Sequence, residues 1–95
     1  MTKVIFKILE GQVIAFMPAL IGDNDYFNTC ESYMHIGQHS SADVELCSRL
    51  KPASLEQYTP LLNELVSIGY DDIKIAKRVQ YADYEARKEA FHANT

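Results

Sequence analysis

A chain of 95 residues is long enough for one hydrophobic core and too short for two, and 47% hydrophobic with 23% charged residues is not the composition of a disordered chain. The net charge of −4 favours solubility and argues against a surface that binds nucleic acid by neutralising phosphates, although Lys74, Lys77 and Arg78 form one local basic group. Two cysteines, Cys30 and Cys47, are too few for a disulfide scaffold and are expected to be reduced, with Cys47 a small apolar residue on a helix.

At the amino terminus, Val4 to Leu9 is too short an apolar run for a signal peptide and is interrupted by Lys7. No stretch approaches the length needed to span a bilayer, so the protein is expected in the cytoplasm, away from membranes.

Val4, Phe6 and Ile8 alternate with Ile5 and Lys7 in a first strand. Glu10-Gly11 supplies a turn, and Gln12 to Met17 continues as a second, antiparallel strand until Pro18 removes a backbone donor. The turn formers Gly22, Asp23, Asn24, Asp25 and Asn28 predict a long loop over 19–29. Cys30 to Ile36 predicts a third strand, with Ser32, Met34 and Ile36 on one face and Tyr33 and His35 on the other, ended by Gly37.

Ser40 and Ser41 then read as caps of a helix running to about Leu50, buried through Val44, Leu46, Cys47 and Leu50. Lys51-Pro52 breaks it, and Ser54 with Gln57 forms a second capping box. Leu55, Tyr58, Leu61, Leu62, Leu65, Val66 and Ile68 recur at helical spacing, with Pro60 expected to bend the helix unless Thr59 caps it anew. Gly69 and Tyr70 suit a Schellman ending, Ile73, Ile75 and Val79 mark a fourth strand, and 81–92 reads as a polar, alanine-rich terminal helix.

The expected fold is therefore α+β, a mostly antiparallel four-stranded sheet in the order β-β-β-α-α-β. Its two central helices are expected on one face, in a single domain over 1–80 with a helical extension over 81–95.

Side chains able to bind or react cluster in one stretch. If a helix starts after Ser40, the free N–H groups at its beginning form an anion subsite, with Gln38, His39, Ser40 and Ser41 lining it and Tyr33 and His35 beside it. The plain alternative is that the glycine makes a tight turn and the serines simply cap. A zinc site from Cys30, His35, His39 and Cys47 does not match a recognised finger spacing, and Asp23 with Asp25 lacks the spacing of a calcium loop, so no metal and no cofactor is expected. For an enzyme, His35 or His39 offers a general base and Tyr33 an acid, but the sequence presents no convincing nucleophile and base constellation. Tyr81, Tyr84 and Phe91 have no core left to enter and suggest a partner or self-association surface.

Ser32-Tyr33-Met34-His35-Ile36-Gly37-Gln38-His39, Lys51-Pro52-Ala53 and Ser67-Ile68-Gly69-Tyr70 together resemble a family of short uncharacterised proteins from bacteria and their phages. There, a VIF-type first strand and an S-Y-x-H-x-G-Q-H segment precede a P-A-[ST] helix start and an S-I-G-Y ending. The likeness covers residues 3 to 79 and brings no known activity; the family pattern places its proline immediately after the cap, where this chain has Pro60 later. A phage setting implies a small protein that binds and disables host machinery, such as an inhibitor of a CRISPR effector or a sponge for a nucleotide signal. The sequence thus suggests a non-catalytic binding protein for a host protein or small nucleotide, able to self-associate. The alternatives are a phosphoester-acting enzyme using His35 and His39, or a structural oligomerisation module.

Overall fold

The computed structural model describes residues 1–23, 26–35 and 37–93. Its elements are β1 (Thr2–Leu9), β2 (Gln12–Asp23), β3 (Tyr26–Met34), β4 (Gln38–Asp43), α1 (Val44–Arg49), β5 (Lys51–Pro52), α2 (Leu55–Ser67), β6 (Ile73–Ala76) and α3 (Tyr81–Ala93). The chain is an α+β protein built on one six-stranded sheet.

Glu10 and Gly11 both take positive φ, 50° and 80°, the conformation of the two-residue turn that matches strand twist, and so set the register of the β1–β2 hairpin with Leu9 opposite Gln12. The sheet continues antiparallel from β2 through β3 to β4. On its other side β1 is paired along its first half by β6, in parallel, and near its end by β5.

Three expectations about these strands are corrected. Pro18 does not end the second strand: the β2–β3 register shifts between Met17 and Ile21, and this irregularity absorbs the missing donor so that β2 runs to Asp23. Most of the expected 19–29 loop is consequently strand, while Asn24 and Asp25, like Ile36, lie outside the described residues. Ser40 and Ser41 do not cap a helix. They lie within β4, an edge strand whose polar side chains are mostly exposed, and α1 begins at Val44 with Asp43 as its cap, accepting from the Glu45 N–H at 2.9 Å.

The two central helices do not share a face. Leu61 and Leu65 of α2 pack with Val4, Phe6, Ala15, Met17 and Tyr33, and the ring of Tyr58 stacks on Phe6 at 4.6 Å. Val44 and Cys47 of α1 pack with Ile5, Ile14, Phe16 and Cys30, the alternate residues of the same strands and hence the opposite face. A sheet covered on both sides buries consecutive residues, as Val4-Ile5-Phe6 and Ile14-Ala15-Phe16-Met17 do.

Rather than extending outward, α3 lies against β2 and β3. Its anchors are polar: the Asp83 carboxylate takes the Lys3 ammonium at 2.6 Å and the Gln80 N–H at 2.8 Å, and buried Arg87 donates to the Pro18 carbonyl. Among the described residues no helix is long and apolar enough to cross a membrane.

Candidate functional site

On the α2 face of the sheet, at its β4 edge, five polar and aromatic side chains come together, from β3, β4, α2 and the segments just after β3 and α2. Tyr33 of β3 and His39 of β4 are register partners, which puts both on one face with their rings edge to face at 4.7 Å. His35 follows β3 in the turn toward β4. From the facing helix come Glu64, one turn beyond Leu61 on the sheet-facing side of α2, and Tyr70, just past its end.

The helix ending positions Tyr70. Gly69 takes φ +116°, the Gly69 N–H reaches the Val66 carbonyl at 3.2 Å, and the Tyr70 N–H reaches the Leu65 carbonyl at 3.1 Å, the paired bonds of a Schellman motif. The reversal delivers the Tyr70 ring to His39, where its hydroxyl and His39 Nε2 share a hydrogen bond of 2.9 Å. At the other end of α2, Ser54 and Gln57 close the expected capping box, at 3.3 and 2.8 Å. The helix runs unbroken through Pro60, without a new cap at Thr59, whose hydroxyl instead donates to the Leu55 carbonyl at 2.6 Å.

Glu64 is the hub. Its Oε2 accepts from the Tyr33 hydroxyl, and its Oε1 accepts from His35 Nδ1 at 2.6 Å. The Tyr33 and His35 hydrogen bonds hold the Glu64 carboxyl below its ordinary range, whereas the bond to Glu64, reinforced by burial, pushes the Tyr33 phenol above its own. Burial, and then the charge of Glu31, also raises the Tyr70 phenol. The cluster thus holds neutral phenols beside an ionised carboxylate.

Two hollows flank it. One, of about 460 Å³, is bounded by Tyr33, His39 and Tyr70 with Gly37, Ile68 and Gly69. The other, of about 420 Å³, lies between α2 and the start of β2, with Glu64 and His35 in its wall.

Of the residues expected to form the site, Tyr33, His35 and His39 are brought together. Gln38, Ser40 and Ser41 are not part of that group: they border a separate hollow of about 340 Å³ near α1, where Ser32 Oγ donates to the Ser40 carbonyl at 3.1 Å. With the helix starting at Val44, the expected anion subsite loses the N–H groups on which it depended. Cys30 and Cys47 are buried on the α1 face, away from the two histidines, and among the described residues no three metal-ligating side chains gather. Tyr81 of α3 is 72% exposed and its ring lies 5.8 Å from that of Tyr84, while Phe91 is half-buried.

The sequence pattern alone singles out neither Glu64 nor the contact of Tyr70 with His39. The available signal was positional: Glu64 sits three residues after Leu61 and one before Leu65, on the flank of the apolar stripe rather than opposite it. No family model matches the chain, and no curated protein or solved structure proves similar to it.

Proposed function

We propose that the protein is a non-catalytic binding protein whose recognition site is the surface around Glu64. The observation that carries this reading is the Glu64 carboxylate held between Tyr33 and His35. A general acid or base works best with a pKa near the working pH. Here the interactions move Glu64 down and the two phenols up, away from neutrality. The histidines are engaged in separate pairs, His35 with Glu64 and His39 with Tyr70, so they do not act on one reacting atom as the phosphoester-cleaving alternative requires.

The acidic character of the site favours a protein partner over a nucleotide, since the ionised Glu64 carboxylate, with the charge of Glu31 felt at neighbouring Tyr70, repels a phosphate. In the setting suggested by the resemblance to short bacterial and phage proteins, that partner is a host protein met in the cytoplasm. Exposed Tyr81 supports a second reading, self-association through α3. Light scattering on Tyr81→Ser, which removes only an exposed ring, tests it: an unchanged mass in a protein that associates rules α3 out as the contact.

The test of the main reading is a thermal-shift panel of phosphate, mono-, di- and cyclic nucleotides and short basic peptides, run beside a phosphodiesterase assay. A ligand that binds only the native state raises the melting temperature by mass action. Stabilisation by basic peptides without turnover is expected. Saturable turnover that disappears in both His35→Ala and His39→Ala would contradict it.

A further inference from the structure

The hollow between α2 and the start of β2 has an unusual division of labour in its walls. Val13, Pro60 and Leu61 make its apolar side, Gln12 and Gln57 border it, and Glu64 and His35 supply its polar wall. Among the described residues that line it there is no lysine or arginine, so no cation of the chain itself fills it. Glu64 is 21% exposed in its side chain, enough to be reached from outside.

An ionised carboxylate offers about four acceptor positions over its two oxygens. Tyr33 occupies one on Oε2, His35 one on Oε1 and the Gly37 backbone N–H a third, which leaves about one open to a ligand. A guanidinium head group, planar and more weakly hydrated, suits such a largely withdrawn carboxylate better than the strongly hydrated ammonium of lysine. The apolar walls suit the methylene stem behind such a head group, because long basic side chains lay their stems along apolar surface. A phosphate or carboxylate ligand would instead face the fixed negative charge.

Resting on the reading of this surface as a binding site, we propose that the hollow is a receptor for an arginine side chain of a partner polypeptide, with Glu64 as the recognition carboxylate and Val13, Pro60 and Leu61 as the stem groove. Tyr33 acts as a positioning residue. Its hydroxyl, donated from a side chain only 1% exposed, holds the carboxylate in place from the sheet side. The net charge of −4 favours encounter with a basic partner segment.

The experiment is a titration of the full-length, nitrogen-15-labelled protein followed by amide shifts, with four probes: the blocked single amino acids N-acetyl-arginine methylamide, its citrulline counterpart, the lysine counterpart and the norleucine counterpart. The citrulline probe matches arginine in shape and lacks its positive charge. Saturable shifts at Gln12, Val13, Leu61 and Glu64 are expected with arginine over millimolar concentrations, with lysine several-fold weaker and the two neutral probes giving none.

Glu64→Gln should abolish the saturation. Because that variant also disturbs Tyr33, Gln12→Lys provides an independent check. It alters an exposed residue, leaves Glu64 intact and places a competing ammonium at the rim, and should weaken the arginine probe several-fold. Equal binding of citrulline and arginine would overturn the arginine assignment while leaving a binding hollow in place. Absence of saturable arginine shifts at these residues would overturn the inference outright. The binding reading itself fails by a different result, the histidine-dependent turnover described above.

Discussion

Lys3 on β1 and Asp83 on α3 meet at 2.6 Å across eighty positions of sequence, with side chains only 13% and 6% exposed. A carboxylate so withdrawn from water depends on its cation. Lys3→Met keeps the stem and removes the charge, and should destabilise the protein by about 3–5 kcal/mol, the range for breaking a buried ion pair. Urea unfolding at neutral pH reads this directly; a loss below about 1 kcal/mol, the range of exposed pairs, would mean that Asp83 finds other solvation.

Arg87 closes the same interface by donating to the carbonyl of Pro18, at the irregular part of β2. Arg87→Met is expected to cost about 1.5–3 kcal/mol, the range for a hydrogen bond made by a charged group. Hydrogen exchange should then quicken in the Met17–Ile21 segment more than in β1. Uniform quickening over the sheet would indicate a general loss of packing instead.

The thiols give a pH signature. Burial pushes Cys30 up to about 12 and Cys47 up to about 11, from an ordinary value of 9.0. Both groups are neutral in the folded state where the unfolded chain would already ionise. Their contribution is therefore fully present below pH 9 and is lost as pH rises toward 11 and 12. Stability should fall by roughly 1 kcal/mol per thiol between pH 9 and 10, measured as the difference between the native chain and the Cys30→Ala, Cys47→Ala double variant. At pH 8 neither thiol should react with iodoacetamide until denaturant is added; rapid labelling of the folded protein would contradict the burial.

Local signals with their own chemistry were legible in the sequence. The Glu10-Gly11 turn, the Ser54–Gln57 capping box and the Gly69–Tyr70 ending each depend on a few adjacent residues, and each is found where the sequence puts it. What was not legible depended on distant partners. Ser40 and Ser41 carry the chemistry of a cap, yet pairing with Ser32 and Glu31 draws them into an edge strand. The change from two-residue to helical periodicity after Ser40 does not say which face each helix covers, whereas the consecutive apolar residues Val4-Ile5-Phe6 are the mark of a sheet buried on both sides. The last helix has few apolar residues to announce its docking, since its buried anchors are Asp83 and Arg87. At the site, Tyr33, His35 and His39 could be named because they share one segment, but Glu64 gains its meaning only from the fold that sets it against Tyr33.

The Tyr33–Glu64 contact gives a coupling test. Tyr33→Phe and Glu64→Ala should each lower the melting temperature, and the double variant should fall short of the sum of the two losses, because both remove the same hydrogen bond. Fully additive losses would mean that the two side chains stabilise the fold independently.

The charge state of Glu64 is the point on which the binding site stands, and it can be measured at the atom concerned. Carbon-13 NMR of the Glu64 side-chain carboxyl across a pH titration should give a midpoint below the ordinary glutamate range, moving upward in Tyr33→Phe as the donor with the largest effect is lost. Since the folded-state value is depressed, the stability that Glu64 contributes is present above the ordinary range and is lost as pH falls through the measured midpoint. A midpoint at or above the ordinary range in the native protein, unmoved by Tyr33→Phe, would contradict the account, because the carboxylate would then be neither held by its donors nor fixed in the charged form that recognition requires.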